Sequence, residues 1–153
     1  WNTAEAFPDL KVINRGFGGS HISDVNFYYD RIVRKYRPSR IVFYAGDNDI
    51  AGGKTPEEVL EDFKEFARRV RADMPETEII YITIKPSVSR WRLWPKMDRA
   101  NQLIREFIRP ERRLFYAETA GAIASQAERE IETFRRHSDA YGYAFFVLRA
   151  PRG

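Results

Sequence analysis

Four short runs of β-branched and aromatic residues alternate with stretches of helical periodicity, and this alternation restricts the fold more than any other feature of the chain. The runs are "LKVIN" (Leu10 to Asn14), "RIVFYAG" (Arg40 to Gly46), "EIIYITIKP" (Glu78 to Pro86) and "RLFYAETA" (Arg113 to Ala120). Each is short, apolar and bounded by Gly, Pro or polar turn residues, as buried strands are. Between them, Ile22, Val25, Ile32, Val33 and Tyr36 recur at the spacing of one helix face, with Ser20 or Ser23 available as a cap and Pro38 beyond the end. A second helix starts at Thr55, with Pro56 at its first position and Glu58 completing a capping box. Val59, Phe63, Phe66, Ala67 and Val70 form its apolar stripe. Met97, Ala100, Leu103, Ile104, Phe107 and Ile108 mark a third helix, and Ala127, Ile131 and Phe134 have the spacing of a fourth. Strands alternating with helices connect by right-handed crossovers, which predicts an α/β domain with a parallel sheet covered on both faces.

The 153 residues, 43% of them hydrophobic, suit a single domain over 1–153, and no repeat or linker divides them. The absence of cysteine excludes disulfides, thiolate metal sites and a cysteine nucleophile, and two histidines argue against a His-rich metal site. The net charge of +4 comes from interspersed charges and predicts no nucleic-acid surface. Arg68, Arg69 and Arg71 sit late in a helix, where cations suit the dipole. No apolar run approaches the ~20 residues of a membrane span. The chain opens on Trp1 with no signal peptide in view, and cytoplasmic and secreted locations both stay open.

In sheets of this kind, ligands sit at the carboxyl ends of the strands. Two turns fall on that rim: "GFGGS" after the first strand and "GDND" after the second. Alone, the first is a glycine-rich turn that matches neither phosphate-binding pattern, and the second could be an Asx turn. Together they are specific. "VINRGFGGSHISD" (Val12 to Asp24), "GDND" (Gly46 to Asp49) and "IKPSVSRWRLWPKMDRAN" (Ile84 to Asn101) resemble the SGNH, or GDSL-type, serine hydrolases, which are esterases and lipases. The resemblance covers Leu10 to Ile108 and weakens beyond. It implies a three-layer α/β/α sandwich with a flavodoxin-like parallel sheet. It also implies hydrolysis of a small-molecule carboxylic ester through an acyl-enzyme, without metal or cofactor. Gly46, Asn48 and Asp49 match the family's third block, and Gly19 matches the glycine of its second. The resemblance therefore makes the Gly19 N–H and the Asn48 amide the oxyanion donors, with Asp49 as the brace of that loop. The residue types suit the roles, since an amide can donate a hydrogen bond and a carboxylate cannot. Asp47 takes the variable position and is given no chemistry.

Two blocks depart from the family. Its G-D-S nucleophile motif has no counterpart here, so the resemblance puts the first strand and its serine upstream of Trp1, with the domain truncated at its N-terminus. Ser20 is a substitute nucleophile by position, although capping preference suits it better. In the last block, D-x-x-H, the base is His137, followed by Gly142 and Tyr143 at a fitting distance. Phe134 stands where the aspartate belongs, and Glu132 and Asp139 are off that spacing. His21 reads as a loop residue. The absent strand would be central in the flavodoxin-like order, which leaves three resolutions: residues upstream of Trp1, a strand exchanged between copies of a homo-oligomer, or pairing by "YAFFVL" (Tyr143 to Leu148), which the family would make helical. The first is the expectation. Trp91 and Trp94 either line the substrate rim or pack their loop onto the domain, and Arg90, Arg92 and Lys96 read as solvated. The serine ester hydrolase has one rival, a non-catalytic domain that keeps the rim and binds a ligand or partner after losing the nucleophile.

Overall fold

Phe43 and Tyr81 lie at the centre of the core, on neighbouring parallel strands, and both are fully buried. The computed structural model describes residues 3–8, 11–85, 87–118 and 143–149. In chain order these form α1 (Thr3–Ala6), β1 (Val12–Asn14), β2 (Phe17–Gly18), α2 (Ile22–Phe27), α3 (Tyr29–Ile32), β3 (Arg40–Tyr44), α4 (Asp47–Ala51), α5 (Pro56–Asp73), β4 (Glu78–Ile82), α6 (Trp94–Ile108), β5 (Leu114–Ala117) and β6 (Tyr143–Arg149). Short 3-10 segments cover Arg34–Tyr36 and Val88–Leu93. The architecture is the α/β/α sandwich with a parallel sheet at its heart, β3, β4 and β5 pairing parallel in succession.

Period-2 alternation divides the strands between two layers. Ile41, Phe43, Ile79 and Tyr81 face the larger core, where α5 and α6 contribute Val59, Phe63, Phe66, Ile104 and others. Val42, Tyr44, Ile80, Ile82 and Ala117 face the opposite way and are buried as well, so the sheet is covered on both sides. Aromatic packing knits the larger core: Phe63 meets the Phe43, Tyr81 and Phe107 rings edge-on at 5.4, 4.9 and 6.2 Å. Helix α5 begins where its residues demand. Thr55 Oγ1 accepts the Glu58 N–H at 3.2 Å, and the Glu58 carboxylate accepts the Thr55 N–H at 2.7 Å.

Three local expectations need correction. The segment from Ile22 to Tyr36 is not one helix; it breaks at Tyr28 (φ −89°, ψ 6°) into α2, α3 and a 3-10 turn. Tyr29, fully buried, supplies the core contact between Val25 and Ile32. The cap of α2 is His21, with its N–H donating to Asp24 Oδ2 at 2.8 Å, while the Ser20 hydroxyl donates to the Phe17 carbonyl at 2.9 Å. The third concerns the central slot. The sheet order is β1-β6-β3-β4-β5, and β6 runs antiparallel to both β1 and β3. The segment "YAFFVLR", which the family would make helical, is thus a strand between β1 and β3. An antiparallel strand here brings its first residue to the rim, and Tyr143 pairs with Gly18.

Truncating Phe63 to Ala should cost about 3–5 kcal/mol by urea unfolding, because three aromatic neighbours would face a cavity. Thr55→Ala, which removes only a cap at an exposed helix end, should cost about 1 kcal/mol. A smaller loss for Phe63→Ala than for Thr55→Ala would contradict this core assignment.

Candidate active site at the strand ends

The backbone at Gly46 requires glycine twice over. Its φ is +116°, and a Cβ there would come within 2.6 Å of Ile84 Cδ1 and 3.3 Å of Val59 Cγ1. This allows β3 to turn directly into α4, so Asp47, Asn48 and Asp49 form the first turn of a helix and all three are buried. Gly19 differs. Its φ of +73° favours glycine, but open space surrounds the position of its absent Cβ, and the residue is exposed. The glycine is thus needed for its conformation, and the N–H lies in an accessible turn.

The two turns are in direct contact. Asn48 Nδ2 donates to the Ser20 carbonyl at 3.1 Å. The Asp49 carboxylate, fully buried, accepts the Ile22 N–H at 3.1 and 3.2 Å. Ile22 opens α2, and a first-turn N–H has no acceptor within its own helix. Gly52 lets the His21 ring approach, since a Cβ there would lie 2.7 Å from the imidazole Cε1.

Two cations that sequence reasoning missed complete the arrangement. Lys54 Nζ donates to Asp49 Oδ1 at 2.8 Å, Asp62 Oδ2 at 2.6 Å and Ser23 Oγ at 2.9 Å. Burial pulls its pKa down, but the Asp49 and Asp62 carboxylates outweigh this and hold it above the ordinary lysine value. Lys54 is therefore an ammonium at neutral pH and cannot act as a base toward Ser23. Arg90, read from sequence as solvated, donates from Nη1 to Asp47 Oδ2 at 2.7 Å and from Nη2 to Asn48 Oδ1 at 2.9 Å. Neither contact has a sequence signal, since Arg90 lies 43 residues from Asp47.

Asp47 thus acquires an electrostatic role at the variable position. Burial raises its pKa, and Arg90 offsets part of that rise. Its Oδ1 is buried with no hydrogen-bond partner among the described residues. On the neighbouring 3-10 turn, Val88 and Trp91 stand in solvent, 98% and 62% exposed. Trp94 is different: it packs partly buried on the core and lines a cavity of about 250 Å³ with Thr83, Ile84 and Tyr116. Among the described residues no three His, Cys, Asp or Glu side chains converge as a metal site, and no helix is long and apolar enough to cross a membrane. His137, Glu132, Phe134, Asp139 and Gly142 lie outside the described residues.

A glycine-bearing turn joined to a G-x-N-D helix start at the carboxyl ends of parallel strands can be set against known proteins. The family model for the GDSL-like lipase/acylhydrolase family matches residues 2–145. The chain belongs to that family. Its GDSL-like fold also matches a solved chain described as "The structure of a putative platelet activating factor from Streptococcus pneumonia", with a TM-score of 0.59 and 20% identity. The match covers 71% of this chain and 55% of that one, so the GDSL-like chain spans little more than half of that protein's length. No curated protein sequence matches it.

The Asp47 carboxyl should titrate above 3.8, the value of an unperturbed aspartate. The native state then holds this proton more tightly than the unfolded chain. The group's contribution to stability should fall as pH rises from about 3.8 through the raised native value. Carboxyl ¹³C NMR of Asp47 checks this, and a native midpoint at or below 3.8 would contradict the burial argument.

Proposed function

We propose that this GDSL-like domain stabilises the oxyanion formed when an ester carbonyl is attacked, with the Gly19 N–H and the Asn48 side-chain amide as donors. The reaction is hydrolysis of a small-molecule carboxylic ester through an acyl-enzyme. The observation that carries this reading is the 3.1 Å hydrogen bond from Asn48 Nδ2 to the Ser20 carbonyl. It ties the amide to the turn in which Gly19, the preceding residue, has an exposed position and a positive φ. Donors fixed before charge develops need no reorganisation, and removing one costs about 3–4 kcal/mol of transition-state stabilisation. Asp49 braces the pair by holding the Ile22 N–H. His137 is the base in this reading. It lies six positions ahead of Tyr143, whose backbone pairs with Gly18. Exposed Trp91 offers apolar surface to the acyl or alcohol part of the substrate, and Trp94, packed on the core, offers less.

One observation favours a second reading, a rim that binds ester-like ligands without turnover. Ser20, 3% exposed, gives its hydroxyl to the Phe17 carbonyl, and Ser23 faces a lysine held protonated. Among the described residues, neither hydroxyl has a hydrogen bond to a histidine. Fluorophosphonate labelling with peptide mapping, together with p-nitrophenyl acetate turnover, separates the two. The hydrolase reading expects a labelled serine and a kcat lowered about 10²–10³-fold by Asn48→Ala. Absence of both label and turnover supports the binding domain. Turnover unchanged by Asn48→Ala would remove the oxyanion assignment.

A further inference from the structure

A carboxamide has two ends of similar shape and opposite hydrogen-bonding character. An oxyanion donor works only if the nitrogen end faces the reacting atom. In Asn48 the ends are told apart by their partners. Oδ1 faces the Arg90 guanidinium at 2.9 Å and Nδ2 faces the Ser20 carbonyl at 3.1 Å. Rotating the amide by half a turn would set its NH₂ against a guanidinium and its oxygen against a carbonyl. Both contacts would then be lost and both replaced by repulsion.

We propose that Arg90 is a positioning residue, which fixes the donor end of the Asn48 amide toward the Gly19 turn and strengthens that donor through a charged hydrogen bond to its oxygen. The inference rests on Asn48 being an oxyanion donor. Arg90 is itself held by Asp47, whose side chain is 8% exposed and adjacent to Asn48 in the first turn of α4. One planar guanidinium thus uses two terminal nitrogens on two neighbouring residues, and the fork leaves little freedom to either. A charged donor on the carbonyl oxygen polarises the amide and makes its N–H a better donor in turn. Lysine could reach one of the two acceptors but lacks the fork. Nothing in this arrangement needs Arg90 to touch substrate; it acts through Asn48.

Two measurements on the full chain test the proposal. In ¹⁵N NMR, the Asn48 side-chain amide, assigned by its loss in Asn48→Ala, should shift or broaden in Arg90→Met while the β3 backbone amides stay in place. Arg90→Lys should return it part of the way. In turnover, Arg90→Met should lower kcat about 10-fold or more with KM within about twofold. Combined with Asn48→Ala it should add nothing, because the group it positions is gone. An Asn48 amide unmoved in Arg90→Met, or losses that multiply in the double variant, would overturn the proposal. The NMR result decides it even without ester turnover. Turnover unchanged in Asn48→Ala would instead remove the underlying oxyanion reading, so the two failures are distinguishable.

Discussion

The buried carboxylate of Asp49 is the contact on which the site depends. It takes the first N–H of α2 on one side and the Lys54 ammonium on the other, and it has no exposure to water. A carboxylate in such a position is costly unless charge and hydrogen bonds compensate it. Here they do, and the compensation joins segments 27 residues apart. The turn carrying Gly19 is thereby held against the helix carrying Asn48. Arg90 adds a third segment from beyond β4, through Asp47 and Asn48. Three loops at the carboxyl ends of the sheet are thus bound by buried or half-buried charges.

This arrangement explains the density of polar residues directly after β3. The members of "GDND" divide the work among them. Gly46 turns the chain, Asp47 holds Arg90, Asn48 reaches the Ser20 carbonyl, and Asp49 receives α2. None is a mere loop residue. The cost falls on Asp47, whose second oxygen is buried without a partner among the described residues and whose pKa rises accordingly.

What was legible in the sequence was what local physics decides. The capping box at Thr55 and Glu58 and the stripe from Val59 to Val70 needed only residues within one helix. The strand cores followed from β-branched runs, and the family likeness rested on short contiguous blocks. Long-range partners were not legible. Arg90 looked solvated because its neighbours in sequence say nothing of Asp47, 43 residues away. Lys54 gave no sign that it would bridge Asp49 and Asp62. The break at Tyr28 escaped a periodicity that Tyr29 in fact continues by burying itself. Tyr143–Arg149 was the hardest. Its apolar and aromatic run permits a strand, but its place between β1 and β3 is set by partners far away in sequence.

Hydrogen exchange at the Ile22 amide tests the central claim most directly. A first-turn N–H of a six-residue helix ordinarily exchanges fast, having no acceptor within the helix. If Asp49 joins the two turns, this amide should be protected in the wild-type chain to a degree comparable with the β3 amides. Asp49→Ala should release it while β3 and β4 remain protected. An Ile22 amide that exchanges rapidly in the wild type, or stays protected without the Asp49 carboxylate, would contradict the account.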